Sequence, residues 1–476
     1  MKKLISALLT VAFMLALCAC GNDTPAATTV APTEVASGLQ VGYAKANITP
    51  EYSVPLAGYG NTSTRMSKGM LDYIYTTAVA ISDGNTTVVI IENDLTAAVP
   101  AVLDKVRKQV NEKMGIPVEN IMAAVDHIHS GPDLWNTGEN SISKYSTELV
   151  DIMAKNAMAA VTDMKPAQLF YGTGETKDLS FVRHYLLEDG NVRGPNFGLQ
   201  YDSPKVGHTH EPDTEMQVLK FVREGAREIV LVNWQCHPQR VPTNDYYSIS
   251  ADTIGVMREY VSEKRDCEVI YMLGAAGDLE SISLIPEENV YSNHKDHGQA
   301  LGDAVLSILN GSMDVVEGDQ VRVQKSIYTA TVDKTENHKL TEAQAIRDQW
   351  NQDNDFNAAV AAGAEYGINS PYHANAIVTK SSLADTVDME LFAFGVGEIG
   401  FVFAPYEMFC ENGAYIKENS PFAATVVCSM ANAQHNYISS EEGFGYNCYE
   451  ANTCRYVRGT AEELAEAFVA MLKEIK

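Results

Sequence analysis

Ile121-Met122-Ala123-Ala124-Val125 is an apolar run that stops on Asp126-His127-Ile128-His129-Ser130-Gly131-Pro132-Asp133. Five apolar residues in a row read as a buried strand, and a Gly-Pro pair does not continue one. The chain must therefore leave a sheet here, carrying two imidazoles two residues apart. In a strand, residues i and i+2 share a face, so the spacing predicts that both rings enter the same space. Two imidazoles at a strand end suit a metal site or an acid–base site, and a pair of polar turn contacts is the simpler alternative.

The rest of the chain supplies a sheet for that strand. Gly42 to Ile48 reads as an opening strand, and Thr76 to Ile81 with Thr86 to Ile91 flank Asp83-Gly84-Asn85, a hairpin signal. Ala101 to Met114 and Ser143 to Met164 have helical periodicity, as do Ala251 to Lys264 and His297 to Leu309. Gln217 to Val222 and Glu228 to Gln235 form a second hairpin pattern, and Glu268 to Leu273 is a buried strand. Thr341 to Gly363 reads as a polar helical surface or lid element. Met389 to Phe394, Ile399 to Phe403 and Ala424 to Met430 read as strands; Glu407 to Lys417 and Thr460 to Ile475 read as helices. Hairpins among helical crossovers predict an α/β fold, a mixed sheet flanked by helices, and not a pure Rossmann or TIM repeat.

The first residues set an expected location. Lys2-Lys3 precede the apolar stretch Leu4 to Leu17, which is too short for a membrane span and ends in Leu17-Cys18-Ala19-Cys20-Gly21. This resembles a bacterial lipoprotein signal. Residues 1–19 are the expected signal peptide, Cys20 the expected lipidation site, 20–38 a flexible Thr/Ala/Pro tether, and 39–476 one catalytic domain. The expected location is the outer face of the cell membrane. A formal charge of −27 argues against a nucleic-acid or anionic-membrane surface as partner. No C-x-x-C zinc pattern occurs, and a Cys448–Cys454 loop is open on spacing alone.

Candidate ligands recur at other strand ends. Val230 to Trp234 runs into Gln235-Cys236-His237-Pro238, Phe401 to Phe403 into Ala404-Pro405-Tyr406-Glu407, and Val426 to Met430 into Asn432 to Ser440, which holds His435 and Tyr437. Imidazoles, a carboxylate and a phenol arriving in this way can coordinate Zn²⁺ with a position left for water. Spacing alone does not single them out.

Together these segments resemble the neutral/alkaline non-lysosomal ceramidase family. Its marks are an "ITP" strand, an "HTHSGP" turn, an "NWxxHP" strand end, an "SSD" segment, a "GD" loop, a "PGE" start and a "YITTxEEY…YE" stretch. Here they read Asn47-Ile48-Thr49-Pro50, His127 to Pro132, Asn233-Trp234-Gln235-Cys236-His237-Pro238, Ser250-Ala251-Asp252, Gly277-Asp278, Pro405-Tyr406-Glu407 and Tyr437 to Glu442. They run in family order from about residue 41 to 456, where Tyr449-Glu450 stands near the end. The resemblance implies zinc held by His127, His237, Glu407 and Tyr437, with His129 beside the metal as a proton-transfer group. It also implies that Arg183 binds a carbonyl or developing oxyanion. Metal-activated water would then cleave an acylated small molecule or lipid at its amide.

Two departures concern the substrate. The family's Gly-Asp-Val-Ser-Pro loop is Gly277-Asp278-Leu279-Glu280-Ser281 here, so Glu280 replaces a serine that contacts the ceramide head group, unless Ser281 takes its place. The sequence also ends soon after Tyr449-Glu450, so the expectation is a fold without the family's immunoglobulin-like C-terminal domain. The expectation is an amide hydrolase with Glu280 in its pocket. A zinc esterase or deacylase on a non-ceramide substrate, and a solute-binding lipoprotein with two similar lobes, are the alternatives. Asp252 and Asp278 are weaker site candidates that also suit helix caps. His208 and His210 read as an exposed loop, His294 and His297 as capping and solvated, and His435 as a loop support.

Overall fold

In a computed structural model, the described residues are 38–59, 65–135, 140–194 and 204–476. The expected signal peptide, Cys20 and most of the tether lie outside them. The larger sheet is built from β1 (Gln40–Asn47), β2 (Tyr75–Ser82), β3 (Thr87–Asn93), β4 (Ile121–Val125), β5 (Lys165–Glu175), β6 (Glu215–Arg223), β7 (Ile229–Trp234) and β8 (Glu268–Leu273). Their order is β8-β7-β6-β5-β1-β2-β3-β4, with the short strand Asp314–Val315 beside β5. The two outer pairs, β7/β8 and β3/β4, are parallel and the inner pairs antiparallel. The Asp83-Gly84-Asn85 turn closes as expected. Asp83 Oδ1 accepts the backbone N–H of Asn85 and Thr86, and Ser82 pairs with Thr87.

A second sheet, β9 (Val321–Thr331), β10 (Thr386–Val396), β11 (Ile399–Phe403) and β12 (Ala424–Cys428), lies in that order against one face of the first. Val79, Ile90, Leu231 and Met272 meet Phe392, Phe394, Phe401 and Val426 in the core between them. The other face of the larger sheet is covered by α1 (Pro100–Met114), α2 (Asn140–Thr162), α3 (Asp252–Arg265) and α4 (His294–Asn310). The chain then adds α5 (Leu340–Asp353), α6 (Phe356–Gly363) and α7 (Pro371–Ser382), which share a small core of their own. Finally α8 (Cys410–Asn419) and α9 (Thr460–Ile475) cover the outer face of the second sheet. The result is the mixed α/β class, arranged as four layers, α/β/β/α. It is not a pair of similar lobes. No helix among the described residues is long and apolar enough to cross a membrane.

Local structure departs from the sequence pattern at several points. Glu407 does not begin a helix: Glu407–Met408 is a two-residue strand paired in parallel with Tyr437–Ile438, and α8 starts at Cys410. Backbone pairing to a distant segment overrides the local helical pattern. The Thr341 to Gly363 region breaks at Asn354, whose φ is 54°, and restarts with the Asp355 side chain capping α6. β9, eleven residues long, was not legible because only its two ends present buried residues. His297 is fully buried, not solvated, with Nε2 donating to the Leu179 carbonyl at 2.8 Å. Cys448 and Cys454 are free thiols flanking the short helix Tyr449–Thr453.

Candidate metal centre

The two imidazoles of the His-x-His turn converge, but not by strand alternation. β4 ends at Val125, and His127 adopts a left-handed conformation with φ 65°. This is an uncommon state for a non-glycine residue. The His127 backbone N–H donates to Leu95 O, and its ring Nδ1 donates to Thr96 O at 2.6 Å. A carbonyl only accepts, so Nδ1 carries the proton and a neutral ring presents a free lone pair at Nε2. His129 Nε2 lies 3.3 Å from His127 Nε2. Gly58, at φ 108°, packs so closely on His129 that a Cβ there would stand 2.5 Å from the His129 Cβ. Behind the turn, buried Arg65 donates to the carbonyls of Ala57 and His129 at 2.6 and 2.7 Å.

His237 follows β7. Its Nδ1 lies 2.8 Å from Ala276 O and 2.9 Å from Leu279 O, so the same tautomer argument leaves Nε2 free. That nitrogen lies 3.2 Å from Tyr437 Oη and 3.4 Å from Glu407 Oε2. Glu407 Oε2 is also 3.3 Å from His127 Nε2. Glu407 is a buried carboxylate whose Oε2 makes no aligned hydrogen bond. Leaving such an oxygen uncompensated is costly. Donors around one tetrahedral zinc stand roughly 3.3–3.5 Å apart, from metal–N and metal–O lengths of about 2.0–2.2 Å. The donor set therefore fits a divalent cation. His127, His129 and His237 bring ring nitrogens within 4.8 Å of one another, so His129 belongs to the same convergent group as two of the expected ligands.

The electrostatics follow from burial and neighbours. Burial works against charge on His127, but Glu407 and the Thr96 carbonyl outweigh it and raise its pKa. Burial and the two neighbouring histidines push His129 well below the usual imidazole value. Burial opposes the Glu407 carboxylate, yet His127 and His237 hold its pKa far below the ordinary range. Burial drives the Tyr437 phenol well up; Arg183 opposes that, while Glu407 adds to it.

These groups open into a cavity of about 390 Å³, which Arg183, Gln239, Glu280, Tyr59, Tyr372 and Tyr449 also line. Arg183 is placed by a two-residue ladder in which Phe181–Val182 pairs with Leu279–Glu280. Its Nη1 reaches Glu280 at 2.8 Å and its Nη2 reaches Glu450 at 2.6 Å. Its guanidinium lies 5.0 Å from the Tyr437 ring centre. Gln239 Nε2 donates to both Glu280 oxygens. Glu280 thus sits in the pocket wall, with its charge already met by Arg183. Glu450 also bonds His184 Nε2 at 2.8 Å.

The weaker candidates take structural positions. Asp252 accepts the backbone N–H groups of Arg240, Val241 and Thr253, fixing the segment after His237. Asp278 accepts the Cys410 N–H and meets His210 Nε2. His208 and His210 are therefore bonded, not free in an exposed loop: His208 Nε2 meets Glu288 at 2.9 Å. His435 meets Tyr456 Oη at 2.9 Å and supports its loop. Sequence reasoning missed Tyr59, Arg65, Gln239, Tyr372 and the role of Glu450. Only Glu450 carried a signal, in the Tyr449-Glu450 pair.

Residues 39–277 match the family described as neutral/alkaline non-lysosomal ceramidase, N-terminal. The neutral ceramidase of Pseudomonas aeruginosa is 22% identical over 486 residues, covering 90% of this chain and 71% of that protein. The crystal structure of neutral ceramidase from Pseudomonas aeruginosa superposes with a TM-score of 0.69 at 21% identity, over 92% of this chain and 75% of that one. A structure of ceramidase complexed with C2 gives 0.68 at 18% identity, over 92% and 76%. The fold is therefore shared with these enzymes, and this chain belongs to the neutral/alkaline non-lysosomal ceramidase family of hydrolases.

Proposed function

We propose that this protein is a zinc-dependent hydrolase that cleaves the amide of an N-acylated small molecule or lipid. The observation that carries the reading is the buried Glu407 Oε2, which makes no aligned hydrogen bond and lies within 3.3–3.4 Å of the Nε2 lone pairs of His127 and His237. His127, His237, Glu407 and Tyr437 would hold the ion. When bound, zinc supplies Lewis acidity and activates water for attack on the acyl carbonyl. His129, kept neutral by burial and its neighbours, would take up or return a proton at Nε2. Arg183, fixed between Glu280 and Glu450, would place positive charge beside the developing oxyanion. Glu280, a carboxylate in the cavity wall where the resemblance places a hydroxyl, favours a head group other than that of ceramide, and the same groups would serve an ester. A cavity of this size takes the reacting group and its surroundings, so a long acyl chain would extend beyond it.

The test is metal analysis joined to a substrate panel. Zinc content should fall by one equivalent in His127→Ala and Glu407→Ala, and hydrolysis of N-acyl amides should stop on chelation and return with zinc. Folded protein that hydrolyses the amides equally well after complete metal removal would overturn the reading. The proposal includes lipid anchoring outside the cell through Cys20. There, Cys20→Ser should move the protein from the membrane fraction to the soluble one.

A further inference from the structure

A second set of donor atoms converges apart from the cavity lining. His210 Nε2 lies 3.1 Å from Asp278 Oδ2 and 3.7 Å from Cys410 Sγ, and Sγ lies 3.3 Å from the same Asp278 oxygen. Asp278 and Cys410 are buried, while the His210 side chain keeps 26% of its surface exposed. None of the three lines the cavity around His127.

A thiol, an imidazole and a carboxylate can serve two chemistries. A nucleophile–base–orienter triad needs the imidazole in the middle, with the thiol at one ring nitrogen and the carboxylate at the other. Here both face Nε2, while Nδ1 faces Thr209 Oγ1 at 3.1 Å. A proton relay from the thiol through the ring to Asp278 is therefore ruled out by geometry. A metal site asks instead that three donor atoms face one point. Around a tetrahedral divalent ion with one sulfur donor they stand roughly 3.3–3.7 Å apart, given metal–N and metal–O lengths of about 2.0–2.2 Å and metal–S of about 2.3 Å. The observed separations match within a few tenths of an ångström. Nδ1–H can donate to Thr209 Oγ1 and leave the Nε2 lone pair for the ion, and the Cys410 N–H fixes the carboxylate through its other oxygen at 2.7 Å.

We propose that His210, Asp278 and Cys410 form a second divalent-metal site, suited by its single thiolate to zinc or a similar borderline-soft ion, with its open position towards solvent at His210. Binding takes the proton from the Cys410 thiol and releases it to solvent. The site joins three segments: the loop before β6, the loop behind His237, and the start of α8. Asp278 stands between Ala276 and Leu279, whose carbonyls hold His237 Nδ1, and Cys410 follows closely on Glu407. An ion here braces the segments that position two of the residues at the first site.

Cobalt separates the two sites, because the donors of the first are nitrogen and oxygen only. Co²⁺ titrated into the chelator-treated full chain should produce a near-ultraviolet thiolate-to-cobalt charge-transfer band that reaches its plateau by about two equivalents with both sites intact, and by about one where the first site is disabled. The band should vanish in Cys410→Ser and in His210→Ala, and persist in the His127→Ala/Glu407→Gln double variant. Absence of the band in the wild-type protein would mean a hydrogen-bonded cluster only and would overturn the proposal. So would a band that survives in folded Cys410→Ser. Should Cys410→Ser fail to fold, His210→Ala, at a partly exposed position, decides the matter by the same readout. The readout does not depend on hydrolysis, so it stands or falls separately from the function proposed for the first site.

Discussion

Glu407 and Tyr437 are register partners in a two-residue parallel ladder, Glu407–Met408 against Tyr437–Ile438. The pairing lays a carboxylate and a phenol side by side at the edge of the cavity, each within 3.4 Å of His237 Nε2. Tyr437→Phe keeps the ring that packs on Tyr449 and removes only Oη. If both side chains hold the ion, Tyr437→Phe and Glu407→Gln should each weaken zinc binding by at least about 10–100-fold, the cost typical of losing even a supporting partner. Competition against a chromogenic chelator reads this directly, and unchanged affinity in both variants excludes the pair as ligands.

The same ladder is clamped from the side by Gly277, whose N–H donates to Met408 O at 2.6 Å. A Cβ at Gly277 would stand 2.9 Å from the carbonyl oxygens of both Glu407 and Met408. These are backbone atoms that cannot swing away, so Gly277→Ala should shift Glu407. The expected cost is about 1–3 kcal/mol in urea denaturation, together with weaker metal binding. A variant with wild-type stability and metal affinity would show that the loop has slack the packing does not suggest.

Arg183 is enclosed with Glu280 and Glu450, and Glu450 is almost fully buried. Removing the guanidinium in Arg183→Ala should destabilise the chain by roughly 3–5 kcal/mol, since it leaves carboxylates without their partner. Arg183→Lys should recover part of that stability but not catalysis, because an ammonium cannot bridge two carboxylates as a planar fork does. Glu280→Ser frees one arm of Arg183 and restores the hydroxyl expected from the resemblance. It should change the ranking of N-acyl substrates in a competition assay, and an unaltered ranking removes Glu280 from substrate selection.

Acid should act through His297. Burial, with Arg240 adding to it, pushes this imidazole down to about 3 from an ordinary 6.5. The folded state therefore holds it neutral, while the unfolded chain takes up a proton below 6.5. Its contribution is complete above pH 6.5 and is lost as pH falls towards 3, on the order of 3 kcal/mol by pH 4. His297→Gln retains a donor for Leu179 O without a titrating ring. Its urea midpoint should fall less steeply than wild type between pH 6.5 and 4; parallel curves would show that His297 does not contribute.

Elements whose signal is local were legible from residue order. Glu268–Leu273, Ile399–Phe403 and Thr460–Ile475 occur with the bounds their apolar patterns predict. The Asp83-Gly84-Asn85 turn closes the expected hairpin. β9 escaped because most of its side chains stay partly or fully exposed. The start assigned to α8 was wrong for another reason. Whether Glu407 lies in a helix or a strand depends on Tyr437, which local propensity cannot register.

The candidate site divides in the same way. Imidazole, carboxylate and phenol are candidate ligands by residue type, but spacing does not single out His127, His237, Glu407 and Tyr437; it was the family resemblance of their motifs, in order along the chain, that named them before any fold was known. Where their atoms point is a matter of long-range backbone pairing. The left-handed turn at His127, the His237–Glu280 bridge and the Glu407–Tyr437 ladder aim the lone pairs at one centre. The partners that finish the site, Arg65 behind the turn and Glu450 behind Arg183, arrive from segments whose order says nothing of their proximity. Burial then sets their charge states, because removing water is a property of the packed layers and not of any one residue.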